Sequence, residues 1–146
     1  MALKVNIMAR ITRFGVSLEE SLLEKFDPLI ERLGYKSRSE AIRDLIRDRL
    51  VVEEWAVGSQ KTIGVLSLVY NHDVRELSEA LNRIQHQHLE LVVSSTHIHI
   101  DHHNCLEVVI LRGASKKIKK VADELLSCRG VKHGKLSMTT TGTQID

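Results

Sequence analysis

Residues 11–51 contain too little apolar surface to fold alone, and this constrains the chain more than any other feature. Residues 11–18, ITRFGVSL, alternate between apolar and polar positions as a short β-strand does. Two amphipathic helices follow before residue 51. One short strand leaves its backbone hydrogen bonds open, and two small helices make only a thin core. We therefore expect this strand to pair with its copy in a second chain, which gives an antiparallel ribbon over four helices.

The two faces of the predicted strand have different roles. Phe14, Val16 and Leu18 point to one side. The other side carries three residues that we predict to contact DNA: Arg13, Gly15 and Ser17. A ribbon of this kind fits the DNA major groove, although a solvated strand face is the alternative interpretation. Free backbone N–H groups at the start of the second helix predict phosphate contacts there, at Ser37, Arg38 and Ser39.

Serine and glutamate three residues apart predict both helix starts. Ser17 and Glu20 have the spacing of a capping box before the first helix, although a start one or two residues later is the alternative. Ser37 and Glu40 have the same spacing before the second helix. Pro28 lies inside the first helix, where we expect it to bend the helix or break its hydrogen-bond ladder locally.

Beyond residue 60 the pattern changes to βαββαβ. Strands are predicted over 61–70, 89–101, 105–113 and 131–141, and helices over 73–87 and 114–129. This order is typical of a ferredoxin-like (ACT-like) sheet with helices on one face. The predicted fold class is α+β, with an N-terminal arm, a ribbon-helix-helix domain, a linker and the ferredoxin-like domain over residues 1–10, 11–51, 52–60 and 61–146.

Composition excludes several classes of protein. The 21 Lys and Arg residues against 19 Asp and Glu residues give a net charge of +2, so charge alone does not predict a nucleic-acid partner. No apolar run approaches the roughly 18 residues of a membrane span, and the N-terminus does not resemble a signal peptide. Cys105 and Cys128 make no disulfide framework, which predicts a cytoplasmic protein. We interpret Cys128 as a packed thiol.

The stretch THIHIDHHNC, residues 96–105, predicts a metal site. His97 and His99 share one face of a strand, and a tight turn at about residues 101–104 returns Cys105 beside them. Two imidazoles and a thiolate suit zinc, nickel or copper. Six of the eight histidines fall between residues 86 and 103, although a solvated, histidine-rich hairpin is the alternative.

A fourth ligand is expected at the end of the preceding helix. QHQH, residues 85–88, offers His86 and His88 there. His72 and His133 are isolated along the sequence, so we interpret them as structural or solvated residues.

The chain resembles the nickel-responsive regulators of the NikR family over nearly its whole length. The resemblance rests on RFGVSLEESLLEKFD, GYKSRSEAIRDLIR, QHQH, THIHIDHHNCLEVVILRG and RGVKHGKL. Members of that family are tetramers that bind Ni²⁺ in a square plane of three histidines and one cysteine. The resemblance implies that one chain supplies His97, His99 and Cys105, and that a neighbouring chain supplies His86. It also implies a second, weak cation site for K⁺ at Glu40 and Asp44.

These observations predict a nickel-dependent DNA-binding regulator, mainly a repressor, whose homotetramer binds a palindromic operator. Two rival functions remain open, a metal-trafficking or storage protein and a regulator that responds to a small molecule. An enzyme is not expected, because four protein ligands fill a square plane and leave no position for substrate.

Overall fold

A computed structural model describes residues 10–145, so the predicted N-terminal arm lies almost wholly outside the described residues. The elements in chain order are α1 (Glu20–Arg32), α2 (Arg38–Val57), β1 (Lys61–Asn71), α3 (Leu77–Gln87), β2 (Val92–His99), β3 (Asn104–Ala114), α4 (Ser115–Leu126) and β4 (Val131–Thr139). The chain divides into two compact units, an N-terminal unit ending at Arg47 and a C-terminal unit over Asp48–Ile145. None of the helices within residues 10–145 combines the length and the apolar character needed to cross a membrane.

The start of the N-terminal unit differs in one respect from the prediction. Residues 10–19 form no helix or strand within the single chain. An antiparallel ribbon takes its hydrogen bonds from a second backbone, so the strand over 11–18 stays a prediction. The helix α1 begins after Glu19, whose side chain makes no capping hydrogen bond. The helix thus starts two residues later than a Ser17 capping box would place it, which is the later start that the sequence left open, and Ser17 does not act as its cap.

The end of α1 is fixed by a left-handed glycine. Pro28 lies inside the helix but does not end it, although its missing N–H removes one hydrogen bond from the ladder. Gly34 has φ +85° and donates its backbone N–H to the Glu31 carbonyl at 2.9 Å. The next backbone N–H, of Tyr35, reaches the Ile30 carbonyl at 3.0 Å. These two bonds make a Schellman cap that satisfies the last carbonyls of α1.

The helix α2 begins as predicted and ends later than predicted. The Glu40 N–H donates to Ser37 Oγ at 3.3 Å, and a Glu40 carboxylate oxygen accepts from the Lys36 N–H at 3.1 Å. The serine half of the predicted capping box is therefore formed, while Glu40 accepts from Lys36, the residue before Ser37. The predicted linker over 52–60 is wrong for its first six residues, since α2 continues to Val57. Trp55 is the reason: its side chain is buried in the core of the C-terminal unit, and Nε1 donates to the Thr139 carbonyl at 2.9 Å.

The C-terminal unit has the predicted ferredoxin-like topology. Its four strands form an antiparallel sheet in the order β2-β3-β1-β4. Alternate residues of β1 and β3 pack with the apolar sides of α3 and α4 in one continuous core, which includes Leu66, Leu68, Leu81, Val109, Leu111, Ile118 and Leu125. The strand β3 lies between β1 and β2, and this position brings the ends of all three strands together.

Candidate metal centre

The β2–β3 hairpin aligns the predicted ligands. His99 lies opposite Cys105, and His97 lies opposite Glu107. The rings of His97 and His99 have their centroids 4.9 Å apart, so both imidazoles share the face that period-two alternation predicts. Asp101 holds the turn between the strands, because its carboxylate accepts hydrogen bonds from the backbone N–H groups of residues 103 and 104 at 2.8 and 2.7 Å.

Three donor groups of one chain converge at this hairpin. A nitrogen of His72, a nitrogen of His99 and the sulfur of Cys105 all lie within 4.8 Å of one another. The sulfur is 3.2 Å from Nδ1 of His72 and 3.5 Å from Nδ1 of His99. Cys105 is fully buried, His72 is half-buried and His99 is exposed. Two imidazoles and a thiol are good ligands for late first-row divalent metals, so this group fits a metal ion.

His72 is the member of this group that the sequence did not indicate, because it is isolated along the sequence but not in space; its interpretation as a structural or solvated residue stays a prediction. It follows β1, whose last residue, Asn71, is level with Asn104 at the start of β3. The backbone N–H of His72 also donates to the His103 carbonyl at 3.0 Å. The predicted βαββαβ order already implied that β1 lies beside β3. The signal was therefore in the topology rather than in local spacing.

Asp73 connects His72 to the turn. One carboxylate oxygen lies 3.3 Å from Nε2 of His72, and the other lies 2.7 Å from Nδ1 of His103. The contact with His103 is the main reason that the pKa of Asp73 falls below its usual value. Asp73 therefore places a carboxylate beside both imidazoles, with a hydrogen bond to His103 and an ion-pair distance to His72.

His97 is oriented by Tyr70 rather than by Cys105. The Tyr70 hydroxyl donates to a Glu107 carboxylate oxygen at 2.9 Å and lies 3.1 Å from Nδ1 of His97. Burial, followed by the hydrogen bond to Glu107, raises the pKa of Tyr70, so the phenol keeps its proton. Because that single proton is directed at Glu107, His97 Nδ1 must donate to the phenol oxygen. The lone pair of His97 Nε2 is then left for a metal.

Glu107 is the centre of a buried polar network. Besides the Tyr70 hydroxyl, its carboxylate accepts from Gln85 Nε2 at 2.6 Å and from Ser95 Oγ at 2.8 Å. Gln85 is buried on α3 and Ser95 is on β2. Three donors satisfy a carboxylate that would otherwise be costly to bury. The network therefore fixes the last turn of α3 against the strands that carry the predicted ligands.

The thiol of Cys105 favours its neutral form. Burial raises the pKa of Cys105 above its ordinary value, and the carboxylates of Asp101 and Asp73 increase it further. Metals bind the thiolate, so metal binding must displace the proton. Metal affinity at this residue is therefore expected to weaken as pH falls.

The two histidines at the end of α3 differ. His86 is exposed on the last turn and is not part of the three-residue group. Nε2 of His88 instead lies 3.0 Å from a Glu124 carboxylate oxygen of α4. A single chain contains no neighbouring copy, so the inter-subunit role of His86 stays a prediction.

Two of the predicted DNA-contact residues, Ser37 and Arg38, already make hydrogen bonds within the chain. Arg38 donates through Nε and Nη2 to the two carboxylate oxygens of Asp27, at 2.8 and 2.6 Å. This pairing lowers the pKa of Asp27 and raises that of Arg38. A phosphate at Arg38 would have to compete with Asp27, and the Ser37 hydroxyl already caps α2. The other predicted contacts are exposed and stay predictions: Arg13, Gly15, Ser17 and Ser39.

The predicted K⁺ ligands have other partners within the chain. Glu40 accepts the Lys36 N–H, and a carboxylate oxygen of Asp44 lies 3.6 Å from Arg47. Their role as a second cation site stays a prediction.

Comparison with known proteins identifies the family. Residues 63–139 match the model of the NikR C-terminal nickel-binding domain, and residues 12–52 match that of ribbon-helix-helix proteins of the copG family. The chain belongs to the NikR family. A Pyrococcus furiosus protein is 57% identical over 135 residues, 92% of this chain and 98% of its own length. A Geobacter sulfurreducens protein is 56% identical over 138 residues, 94% of this chain and 99% of its own length. Both bear names that include the words nickel-responsive regulator.

Membership of the NikR family decides the class of protein. The chain is a nickel-responsive regulator with a ribbon-helix-helix DNA-binding domain, and it is not an enzyme. The predicted cofactor, Ni²⁺, is confirmed, and the cluster around Cys105 fits a metal site.

Proposed function

We propose that this NikR chain is a cytoplasmic, nickel-dependent repressor. Ni²⁺ bound between neighbouring chains holds a homotetramer, a dimer of dimers, in the form that binds a palindromic operator. The observation that carries the proposal is the buried Cys105 thiol with imidazoles beside it, in a chain that also has a ribbon-helix-helix domain.

Apolar exposure in the N-terminal unit supports dimerisation. Phe14, Val16 and Leu18 are 69%, 52% and 43% exposed in the single chain. Contiguous apolar side chains are seldom left in water on a monomer. A second ribbon would cover this row and leave Arg13, Gly15 and Ser17 facing the DNA major groove. The start of α2, with Ser37, Arg38 and Ser39, would lie near the phosphates.

The proposed nickel site takes His97, His99 and Cys105 from one chain. The tautomer of His97 set by Tyr70 leaves Nε2 free to bind a metal. His86 is exposed at the end of α3, so it is available to a neighbouring copy as the fourth ligand. Three nitrogens and one thiolate suit the planar coordination of Ni²⁺.

Metal binding supplies enough free energy to control DNA binding. Sites of thiolate and histidine bind divalent metals with on the order of 10 kcal/mol or more. Inverting a two-state equilibrium requires a differential affinity of about 5.5 kcal/mol. Only part of the binding free energy of a metal shared between chains is therefore needed to favour the DNA-binding form of the tetramer.

Glu40 and Asp44 form a second, weaker site for K⁺ in the proposed tetramer.

The test compares two histidine variants of the full-length protein. We expect His86→Ala to lose nickel-dependent operator binding and His102→Ala to keep it. His102 is the matched control because it is exposed in the same histidine-rich region but lies outside the ligand set. Operator affinity is measured with Ni²⁺ and with a chelator, alongside the oligomeric state. Equal operator affinity of the wild-type protein in both conditions would contradict the proposal.

A further inference from the structure

We propose that Asp27 determines the specificity of DNA binding through Arg38. Its carboxylate cancels the long-range charge of Arg38 and at the same time holds the guanidinium in position to bind a phosphate. The pair would then favour the operator, where the contacts are aligned, over DNA of other sequence. The proposal rests on the proposed function, in which Arg38 lies near the phosphates, and adds the residue that controls how Arg38 acts there.

The first support is the geometry of the ion pair. Arg38 donates from Nε and Nη2 to the two carboxylate oxygens of Asp27, at 2.8 and 2.6 Å. Two parallel N–H to oxygen bonds fix both the position and the plane of a guanidinium, which a single contact does not. Asp27 lies on α1 and Arg38 is the first residue of α2, so both belong to the N-terminal unit. The guanidinium is therefore oriented before any DNA is bound.

The second support is the set of donors that Asp27 leaves free. A guanidinium has five N–H donors, and the ion pair uses two of them. The Arg38 side chain is 55% exposed, which leaves room for a phosphate at the remaining N–H groups. The start of α2 adds backbone N–H donors, because Ser37 Oγ accepts that of Glu40 but not those before it. A phosphate must share the charge of Arg38 with Asp27, and the free donors let it bind without breaking the pair.

The third support is the charge of the surroundings. Residues 10–50 carry nearly equal numbers of basic and acidic side chains, so this part of the chain has little net charge with which to attract DNA. Each unpaired arginine that neutralises a phosphate releases counterions, whatever the DNA sequence. An arginine that a carboxylate has already neutralised adds directed hydrogen bonds but little attraction at a distance. Asp27 thus removes the sequence-independent part of the Arg38 contribution and keeps the directional part.

The experiment measures the DNA affinity of the full-length protein with Ni²⁺ over a range of salt concentrations. One probe is a random-sequence duplex, and the other is an operator duplex of equal length identified by footprinting. Each neutralised phosphate steepens the dependence of log K on log salt by about 0.9. We therefore expect Asp27→Asn to steepen the slope on random DNA by about one per chain. Non-specific affinity should rise several-fold and operator affinity should rise less, so the ratio of operator to non-specific affinity falls.

Glu24→Gln is the matched control. It removes the same charge from an exposed position of α1, one turn before Asp27, and breaks no ion pair of the described residues. A larger change in Asp27→Asn than in Glu24→Gln is therefore due to the release of Arg38. A double-mutant cycle isolates this contribution, because in an Arg38→Ala background Asp27→Asn should act no more strongly than Glu24→Gln.

Arg38→Lys separates charge from orientation. It keeps the charge and loses the two parallel hydrogen bonds, so operator affinity should fall while the salt slope on random DNA is kept. Circular dichroism of each variant establishes that it is folded.

Equal salt slopes of Asp27→Asn and Glu24→Gln would overturn the proposal, as would an equal loss of affinity on both duplexes. Wild-type affinity of Arg38→Ala for both duplexes would also overturn it, because Arg38 would then make no phosphate contact. Binding to random DNA does not depend on the nickel response. Failure of the repressor proposal, seen as equal operator affinity with Ni²⁺ and with a chelator, would therefore be recognised separately.

Discussion

The two units of the chain obtain their stability in different ways. The C-terminal unit buries a continuous apolar core and satisfies the buried carboxylate of Glu107 with three hydrogen bonds. The N-terminal unit has few buried residues, Ile30 and Ala41 among them, and exposes a row of apolar side chains from Phe14 onward. The C-terminal unit therefore has a core of its own, whereas the N-terminal unit exposes the apolar side chains that the proposed second copy would cover.

In the proposed function, this difference gives the two units different roles in regulation. A unit that is complete in one chain can hold metal ligands within tenths of an ångström, as coordination requires. A unit that is completed by association changes its state when the arrangement of chains changes. Nickel bound to ligands from two chains would be held by the C-terminal units. By fixing how the chains are arranged, it would control the state of the N-terminal units. The following predictions test whether the two units can be separated in this way.

The largest effect is expected for Val16→Glu. A charge within the proposed ribbon interface should prevent pairing of the N-terminal units, because a carboxylate without a partner is costly to bury. We expect operator binding to be lost while Ni²⁺ binding by the C-terminal units is kept. Gel-shift and metal titrations on one preparation measure both. Lys25→Glu, on the exposed side of α1, is the control, and normal operator binding by Val16→Glu would show that the row is not an interface.

Tyr70→Phe tests the C-terminal unit. Removing the hydroxyl leaves Glu107 with one donor fewer and His97 Nδ1 without its partner, which should cost about 1–3 kcal/mol in unfolding free energy. Loss of such a supporting residue should also lower nickel affinity by about 10–100-fold. Ser95→Ala is the control, since it removes another donor to Glu107 but does not contact His97. Equal nickel affinities of the two variants would contradict the orienting role of Tyr70.

The sequence predicted the topology of the C-terminal unit well, because its strands and helices differ clearly in apolar period. The sequence also predicted that His97, His99 and Cys105 lie at the same hairpin, since only one tight turn separates the two histidines from the cysteine. His72 could not be found from local spacing. Its position beside Cys105 depends on the pairing of β1 with β3, which are joined through α3 and β2.

Boundaries were harder to predict where tertiary packing decided them. The segment VVEEWAV has no strong helical period, and α2 extends through it because Trp55 anchors it in a core formed by residues far along the chain. The Ser17 and Glu20 spacing matched a capping box as well as the Ser37 and Glu40 spacing did. Only Ser37 makes the capping hydrogen bond, since helix starts depend on the path of the preceding chain as well as on residue type.

Ser37 caps α2, whereas Ser17 does not cap α1, and the stability of two alanine variants tests this difference. Ser37→Ala should lower the unfolding free energy by about 1 kcal/mol, the usual cost of losing an N-cap. Ser17→Ala should not change stability in this way, because α1 has no side-chain cap from Ser17. Chemical denaturation monitored by circular dichroism measures both. An equal loss in the two variants would mean that Ser17 caps α1 in the assembled protein.

The smallest effect is expected at the β2–β3 turn. Hydrogen bonds from Asn104 and from the His103 N–H lower the pKa of Asp101 from 3.8 to about 2. A carboxyl whose pKa is lower in the folded state stabilises the protein above its unfolded pKa and loses that contribution as pH falls through the folded value. Asp101→Asn puts an amide against the Asn104 side chain, which now donates to Asp101 at 2.8 Å. We therefore expect the metal-free wild-type protein to be slightly more stable than the variant at pH 6.

The difference in unfolding free energy should shrink between pH 4 and pH 2. Asp123→Asn on α4 is the control for losing a surface charge. A difference that is constant over this range would show that the turn is held by backbone geometry and not by the charge of Asp101.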